Sequence, residues 1–275
     1  MAKHKKTLEI LEEAVAILQR YNPMTLRQLY YQLVSRQVMK NDRSQYQALS
    51  KIVVQARLEG TIRWEWIEDR TRRPRHVSMW SGLTDFASIV RLLYRRNVWD
   101  SQPGYLEVWL EKDALSGIFA DVLRNYGVTL NVGRGYDGWD SIHNAAERFA
   151  GLDGATILYF GDFDPSGEDM VRSLRDRLAE LGARPAILKC ALTLDDIQRY
   201  NLPPDFTKSS DTRQGAFVER YGDVAVELDA LPLEVLRQRL VEEVETRMDL
   251  AALEEMRRTE NEERERLVTA LSGIS

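Results

Sequence analysis

The sequence predicts a mixed α/β protein in three parts: a small helical module, a domain on a parallel sheet, and a helical tail. Two observations carry that reading. Across 105–192, short apolar runs alternate with amphipathic stretches of ten or more residues, the pattern of strands joined by helices. The charge is divided as well: residues 1–104 hold 18 Lys and Arg against 10 Asp and Glu, whereas 105–275 hold 20 against 33. A chain of 275 residues is long enough for one large or two small cores. The expected divisions are 1–78 for the basic helical module, 79–104 for a connecting helix and turn, 105–230 for the sheet domain and 231–275 for the tail.

Leu8, Leu11, Ala14 and Leu18 recur at helical spacing through 5–21, and Asn22-Pro23 stops that helix. Thr25 caps a second helix over 26–38, and a polar turn at Asn41-Asp42-Arg43-Ser44 leads into a third over 44–58, ended by Gly60. Residues 61–67 alternate as a strand does. Three helices and a strand, in that order, predict a winged helix-turn-helix. Lys51, Gln55 and Arg57 on its third helix are then candidates to enter a DNA groove, and Arg70, Arg72, Arg73 and Arg75 to contact phosphates. A three-helix module that binds protein is the alternative.

After the connecting segment, strands are expected over 105–110, 128–132, 155–160 and 185–192, with helices over 112–126, 139–150 and 165–181 between them. Residues 193–230 read as irregular, and 233–271 as two highly charged helices that face solvent or a partner helix.

The composition excludes several classes. No apolar run reaches the roughly 20 residues of a membrane span, and the basic start lacks the apolar core of a signal peptide. Cys190 is the single cysteine, so neither an internal disulfide nor a cysteine zinc site is available. A soluble protein in the reducing cytoplasm, with no membrane partner, is the expectation.

Two acidic motifs fall at strand ends. Glu111-Lys112-Asp113-Ala114 closes the first strand of the sheet domain, and Gly161-Asp162-Phe163-Asp164-Pro165-Ser166-Gly167 closes the third. Ligands of parallel sheets bind at the carboxyl ends of the strands. Three converging carboxylates repel one another unless a cation neutralises them, and hard oxygen donors suit Mg²⁺. Glu111, Asp162 and Asp164 are therefore candidate ligands of Mg²⁺, or Mn²⁺ in its place. The plain alternative for Asp164, followed by Pro165, is a helix cap.

These two motifs resemble those of the Toprim domain, in the version shared by the topoisomerase VI A subunit and the meiotic double-strand-break proteins. The resemblance covers residues 25–170, winged helix first and Rossmann-like Toprim sheet second. It implies double-stranded DNA as substrate and cleavage by the second tyrosine of an Arg-x-x-Tyr-Tyr motif, whose form here is Arg27-Gln28-Leu29-Tyr30-Tyr31. Helical phasing puts Tyr30 on the apolar face with Leu26, Leu29 and Leu33, and leaves Tyr31 on the flank it shares with Arg27. Tyr31 is thus the candidate nucleophile, with Arg27 and Glu111 as its catalytic partners.

The resemblance also implies a homodimer. The chain carries no Gly-x-x-x-x-Gly-Lys-Ser/Thr motif, so strand passage would need a separate ATPase partner. It is similar in size to the small stand-alone bacterial and phage relatives. Two other readings stand beside tyrosine-mediated cleavage: metal-dependent hydrolysis without a tyrosine intermediate, and a DNA-binding scaffold that is inert without a partner. A haloacid dehalogenase-type phosphohydrolase is disfavoured, because there the Asp-x-Asp pair ends the first strand.

Several residues are read as carrying less. His143 has no ligand-spaced neighbour, and His4 and His76 lie in basic segments. Gly133-Arg134-Gly135-Tyr136 is a weak phosphate cradle. Glu227 and Asp229 are candidates for a second metal but read better as caps of the helix near Pro232. Lys208 and Arg213 are loop residues within reach of DNA.

Overall fold

The computed structural model describes residues 2–68, 77–133, 138–203, 214–222 and 224–272. Three helices open the chain: α1 (Ala2–Tyr21), α2 (Leu26–Ser35) and α3 (Arg43–Leu58). Thr25 caps α2 through a reciprocal pair of bonds with Gln28, as the Thr-x-x-Gln spacing demands, and Asp42 caps α3. Leu29, Leu33, Leu49 and Val53 pack with Ile17 and Leu18 of α1 in the core.

The strand expected over 61–67 does not form. A single turn of 3₁₀-helix, Trp64–Trp66, stands there, and Ile67 makes only an isolated parallel bridge to Met24. Ile62 and Ile67 are the two buried residues of this stretch. They are an odd number of positions apart, which a period-two strand cannot send to one side.

The connecting segment contains α4 (Leu83–Leu93). The sheet domain follows: β1 (Leu106–Leu110), α5 (Ser116–Leu123), β2 (Thr129–Val132), α6 (Trp139–Phe149), β3 (Thr156–Phe160), α7 (Pro165–Glu180) and β4 (Ala186–Ala191). The four strands are parallel in the order β2-β1-β3-β4. Then come α8 (Leu194–Arg199), α9 (Gln214–Tyr221), α10 (Leu233–Glu245) and α11 (Leu250–Ser272). No helix among the described residues is long and apolar enough to cross a membrane.

Alternate residues of β1 and β3 enter two cores. Trp109, Ile157 and Tyr159 meet Ile142 and Phe149 of α6 and Met170 and Leu174 of α7. Leu106, Val108, Leu158 and Phe160 meet Ile118 and Phe119 of α5 on the other side. That second core continues through Leu236, Leu240 and Val244 of α10 into the residues of α1–α3. The first of the two tail helices is therefore a wall of the core, and only α11 lies out along α4, tied by Arg91–Glu265 and Arg96–Glu263 ion pairs.

The strand order puts β1 beside β3. Connections leave these neighbours in opposite directions, to β2 and to β4, and their helices α5 and α7 cover opposite faces. The gap between the carboxyl ends of β1 and β3 is the switch point where parallel sheets bind ligands.

Candidate functional site

Glu111 and Asp162 follow the last residues of β1 and β3, and so meet at the switch point. The Glu111 amide continues the ladder to the Phe160 carbonyl at 2.9 Å, and its carboxylate accepts the Asp162 amide at 2.9 Å. Gly161 makes this approach close: a Cβ there would stand 2.6 Å from Glu111 Oε2. Burial, with the charges of Asp162 and Asp164 close by, pushes the Glu111 carboxyl up to about 7. Asp164 caps α7, accepting the Gly167 amide at 2.6 Å ahead of Pro165.

Asp162 is 6% exposed. Its Oδ1 accepts the Leu228 amide at 2.8 Å and its Oδ2 meets Lys112 Nζ at 2.7 Å. Burial raises the Asp162 carboxyl, while Lys112 draws it down. On the far side, Lys189 of β4 donates to the Asp162 carbonyl at 2.9 Å and to Glu168, which fixes the turn between the two aspartates.

The residues around 226 complete the site. Val226 and Phe163 exchange both backbone hydrogen bonds at 2.9 Å, which lays 226–230 along the Asp-x-Asp turn. Glu227 and Asp229 are not helix caps: Pro232 stands at the N-terminus of α10 with no side-chain cap bond. Instead Glu227 lies 3.6 Å from Lys112 Nζ and 3.1 Å from Arg27 Nη2, and Asp229 lies 3.5 Å from Arg27 Nε. Asp229 is 1% exposed, and its Oδ1 has no hydrogen-bond partner. Burial pushes its carboxyl up to about 6, against the pull of Lys112 and Arg27. Burial also opposes the Lys112 charge, but Asp162, Glu227 and Asp229 outweigh it and raise the ammonium above its ordinary value.

Tyr30 and Tyr31 divide as the helical phasing predicts. Tyr30 is buried, and its hydroxyl bonds the backbone of Lys40 and Asp42. Tyr31 is half-buried beneath Arg27, whose guanidinium lies 5.3 Å from its ring and 3.5 Å from its hydroxyl. Burial, and then the neighbouring Glu227 carboxylate, hold the phenol well above its ordinary value. Glu227 itself is drawn below the usual carboxylate range: burial opposes this, but Lys112, Tyr31 and Arg27 prevail.

Among the described residues, no three His, Cys, Asp or Glu side chains form a ready cage. Mg²⁺ does not require one, because it binds through one or two carboxylates and keeps its waters. Hard oxygens, a Glu111 carboxyl raised by burial and then by Asp162 and Asp164, and the Asp229 oxygen that has no hydrogen-bond partner fit such an ion.

The other candidates scatter. Lys51 and Gln55 are exposed on α3, with Gln55 bonded to Glu59 at 2.6 Å. Arg57 turns away from solvent to hold its own loop, donating to the Trp64 and Ile67 carbonyls and lying over the Trp64 ring. Arg70, Arg72, Arg73, Arg75 and His76 lie outside the described residues, as do Arg134, Gly135, Tyr136, Lys208 and Arg213. His143 is exposed on α6, 3.9 Å from Glu147.

Compared with models of known protein families and with curated proteins, the chain gives no match.

Proposed function

We propose that this protein binds double-stranded DNA and cleaves a strand in the manner of the topoisomerase VI A family, with Tyr31 as nucleophile beside the carboxylates at the sheet's switch point. One observation carries this reading: within a single chain, the Tyr31 hydroxyl is joined through Arg27 and Glu227 to Lys112, and through Lys112 to Asp162. A tyrosine on a helix and an acidic sheet edge 131 residues away in sequence are brought into one polar network.

Glu111, Asp162 and Asp164 are the residues that would hold Mg²⁺ or Mn²⁺, which when bound offsets negative charge developing on the phosphodiester. Arg27 and Lys112 are the cations placed to receive phosphate oxygens, in competition with their present carboxylate partners. Lys51, on the exposed side of α3, would meet the DNA backbone. A winged-helix role for α1–α3 rests on three helices alone, since the wing strand is not formed.

The test is capture of protein-linked DNA. Labelled duplex is incubated with the protein and Mg²⁺ or Mn²⁺, then denatured. The wild type is expected to retain label, and Tyr31→Phe and Asp162→Ala to lose it. Cutting by the wild type without linked DNA would overturn the tyrosine reading.

A specific observation favours one rival, hydrolysis by water. The Tyr31 phenol is held protonated by burial and by Glu227, the opposite of a resting nucleophile. Under that reading Tyr31→Phe still cuts and Asp162→Ala does not.

A further inference from the structure

We propose that the apolar face of α4 is the seam of a dimer, closed by the α4 of a second copy of this chain running antiparallel to it. The inference does not depend on the cleavage chemistry above. Phe86, Ile89, Val90 and Leu93 follow one another at three- and four-residue spacing and so form one stripe along the helix. An amphipathic helix normally turns such a stripe to a core. Here no residue of α4 is buried, and none of these four belongs to either core. Leu93 is 73% exposed and Phe86 39%.

The side of α4 that α11 covers is the other one. Arg91 meets Glu265 at 2.9 Å, the Tyr94 hydroxyl donates to Glu263 at 2.5 Å, and Arg95 lies 3.6 Å from Glu260. Arg91 stands two positions from both Ile89 and Leu93, about 200° round the helix. The contact within the chain thus uses the polar side and leaves the apolar side uncovered. Trp80 packs edge-on against Phe86, ring centroids 4.8 Å apart, and carries the apolar surface past the start of the helix. Met79, Trp80, Leu83, Phe86 and Leu93 together leave on the order of 600 Å² in water, the upper end for an apolar patch on a monomer and near the ~800 Å² that each partner gives to a standard interface.

Charge selects the occupant. α4 has Asp85 in its first turn and Arg91 in its last, with Arg95 and Arg96 just beyond. An antiparallel copy sets acidic end against basic end and opposes the two helix dipoles, whereas a parallel one sets like against like. The neighbouring helix fits as well: residues 83–96 hold three Arg against one Asp, and α11 holds six Glu against four Arg. Each copy therefore offers charge of the sign that the other lacks, and a two-fold interface of this kind closes at two chains. A lipid surface would call for cations turned outward beside the stripe, but Arg91, Arg95 and Arg96 are paired with Glu265, Glu260 and Glu263.

The test is the mass of the full chain by light scattering and sedimentation at micromolar concentration. The wild type is expected to be a dimer. Phe86→Glu and Leu93→Glu, at positions that the fold does not bury, are each expected to raise the dissociation constant at least about thirtyfold, as loss of an interface hot spot does. Far-UV circular dichroism should show their helices unchanged. Leu58→Glu, on α3 and 68% exposed, is expected to stay dimeric. Disulfide trapping reads the orientation. Phe86 and Leu93 are about 10 Å apart along the helix axis, beyond the reach of a disulfide. A mixture of Phe86→Cys and Leu93→Cys is expected to cross-link under mild oxidation, and neither variant alone; Cys190 is buried and takes no part. A monomeric wild type overturns the proposal, as does a dimer that both stripe variants leave intact or that Leu58→Glu disrupts equally. Each cysteine variant cross-linking with itself overturns the antiparallel seam. Recruitment of a monomeric wild type to phosphatidylserine vesicles, lost in Phe86→Glu, would overturn the dimer and assign the stripe to a lipid surface.

Discussion

Lys112 Nζ lies 2.7 Å from Asp162 Oδ2, so the residue directly after Glu111 supplies the nearest cation to the carboxylates of the switch point. Their side chains are only 15% and 9% exposed. Breaking a buried pair by removing one partner costs about 3–5 kcal/mol, because the other charge is left uncompensated. Lys112→Met is expected to lose stability of that order in chelator. Mg²⁺ should restore more of it to the variant than it adds to the wild type. Urea unfolding with and without the metal checks this; equal stability in chelator would show that Lys112 is not the neutralising charge.

Asp229 gives a pH dependence with a definite sign. Its carboxyl is raised from 3.8 to about 6 by burial, so the folded state holds the proton more tightly than the unfolded chain. Stability from this group is fully present at acid pH and is lost as pH rises from about 4 through about 6. At about 1.36 kcal/mol per pKa unit, the loss is on the order of 3 kcal/mol. Asp229→Asn does not ionise. The stability of the variant minus that of the wild type is therefore expected to climb over the same window, by chemical denaturation at fixed ionic strength. A difference that stays flat would mean that Asp229 is not a strained buried acid.

Gly167 lies where α7 begins, and a Cβ there would stand 2.3 Å from the Asp162 carbonyl oxygen. That atom is backbone, held by Lys189, and cannot swing aside. Gly167→Ala is expected to destabilise by about 1–3 kcal/mol, the usual cost of overpacking. It should also weaken Mn²⁺ binding by moving Asp162. Thermal melts and the paramagnetic signal of free Mn²⁺ report the two effects separately.

Arg57 and Lys51 sit on one helix but do different work. Arg57→Ala removes the donor to the Trp64 and Ile67 carbonyls and the stacking over Trp64. It should change tryptophan fluorescence and lower stability by about 1–2 kcal/mol. Lys51→Ala, at an exposed position, should leave both unchanged and reduce the salt dependence of DNA binding by about one unit of slope. An unchanged salt slope would remove Lys51 from the DNA-binding face.

The sheet was legible because its signal is local. Residues 105–110, 128–132, 155–160 and 185–192 were expected as strands, and β1–β4 fall within them. The stretch 61–67 misled because alternation records which side chains are apolar, not which are buried. Arg57 satisfies two of its carbonyls and so removes the need for a partner strand. The charged tail is expected to face solvent or a partner helix, and α10 does the latter: Leu236, Leu240 and Val244 give it a buried stripe shared with α5.

By itself the sequence determined the strands, the acids that end β1 and β3 and the helices outside 193–230, where α8 and α9 stand in a stretch expected to be irregular, since period and punctuation are properties of neighbouring residues. It also set Tyr31 apart from Tyr30, because a step of about 100° along a helix suffices to separate two faces. Only the tertiary structure decided that β1 lies beside β3, which turns two strand ends into one site. It alone brought Glu227 and Asp229 to Arg27, across 200 and 202 residues of chain. Contacts between residues that far apart leave no period in the sequence; they are set by how the helical module packs on the sheet domain, through a core that both share.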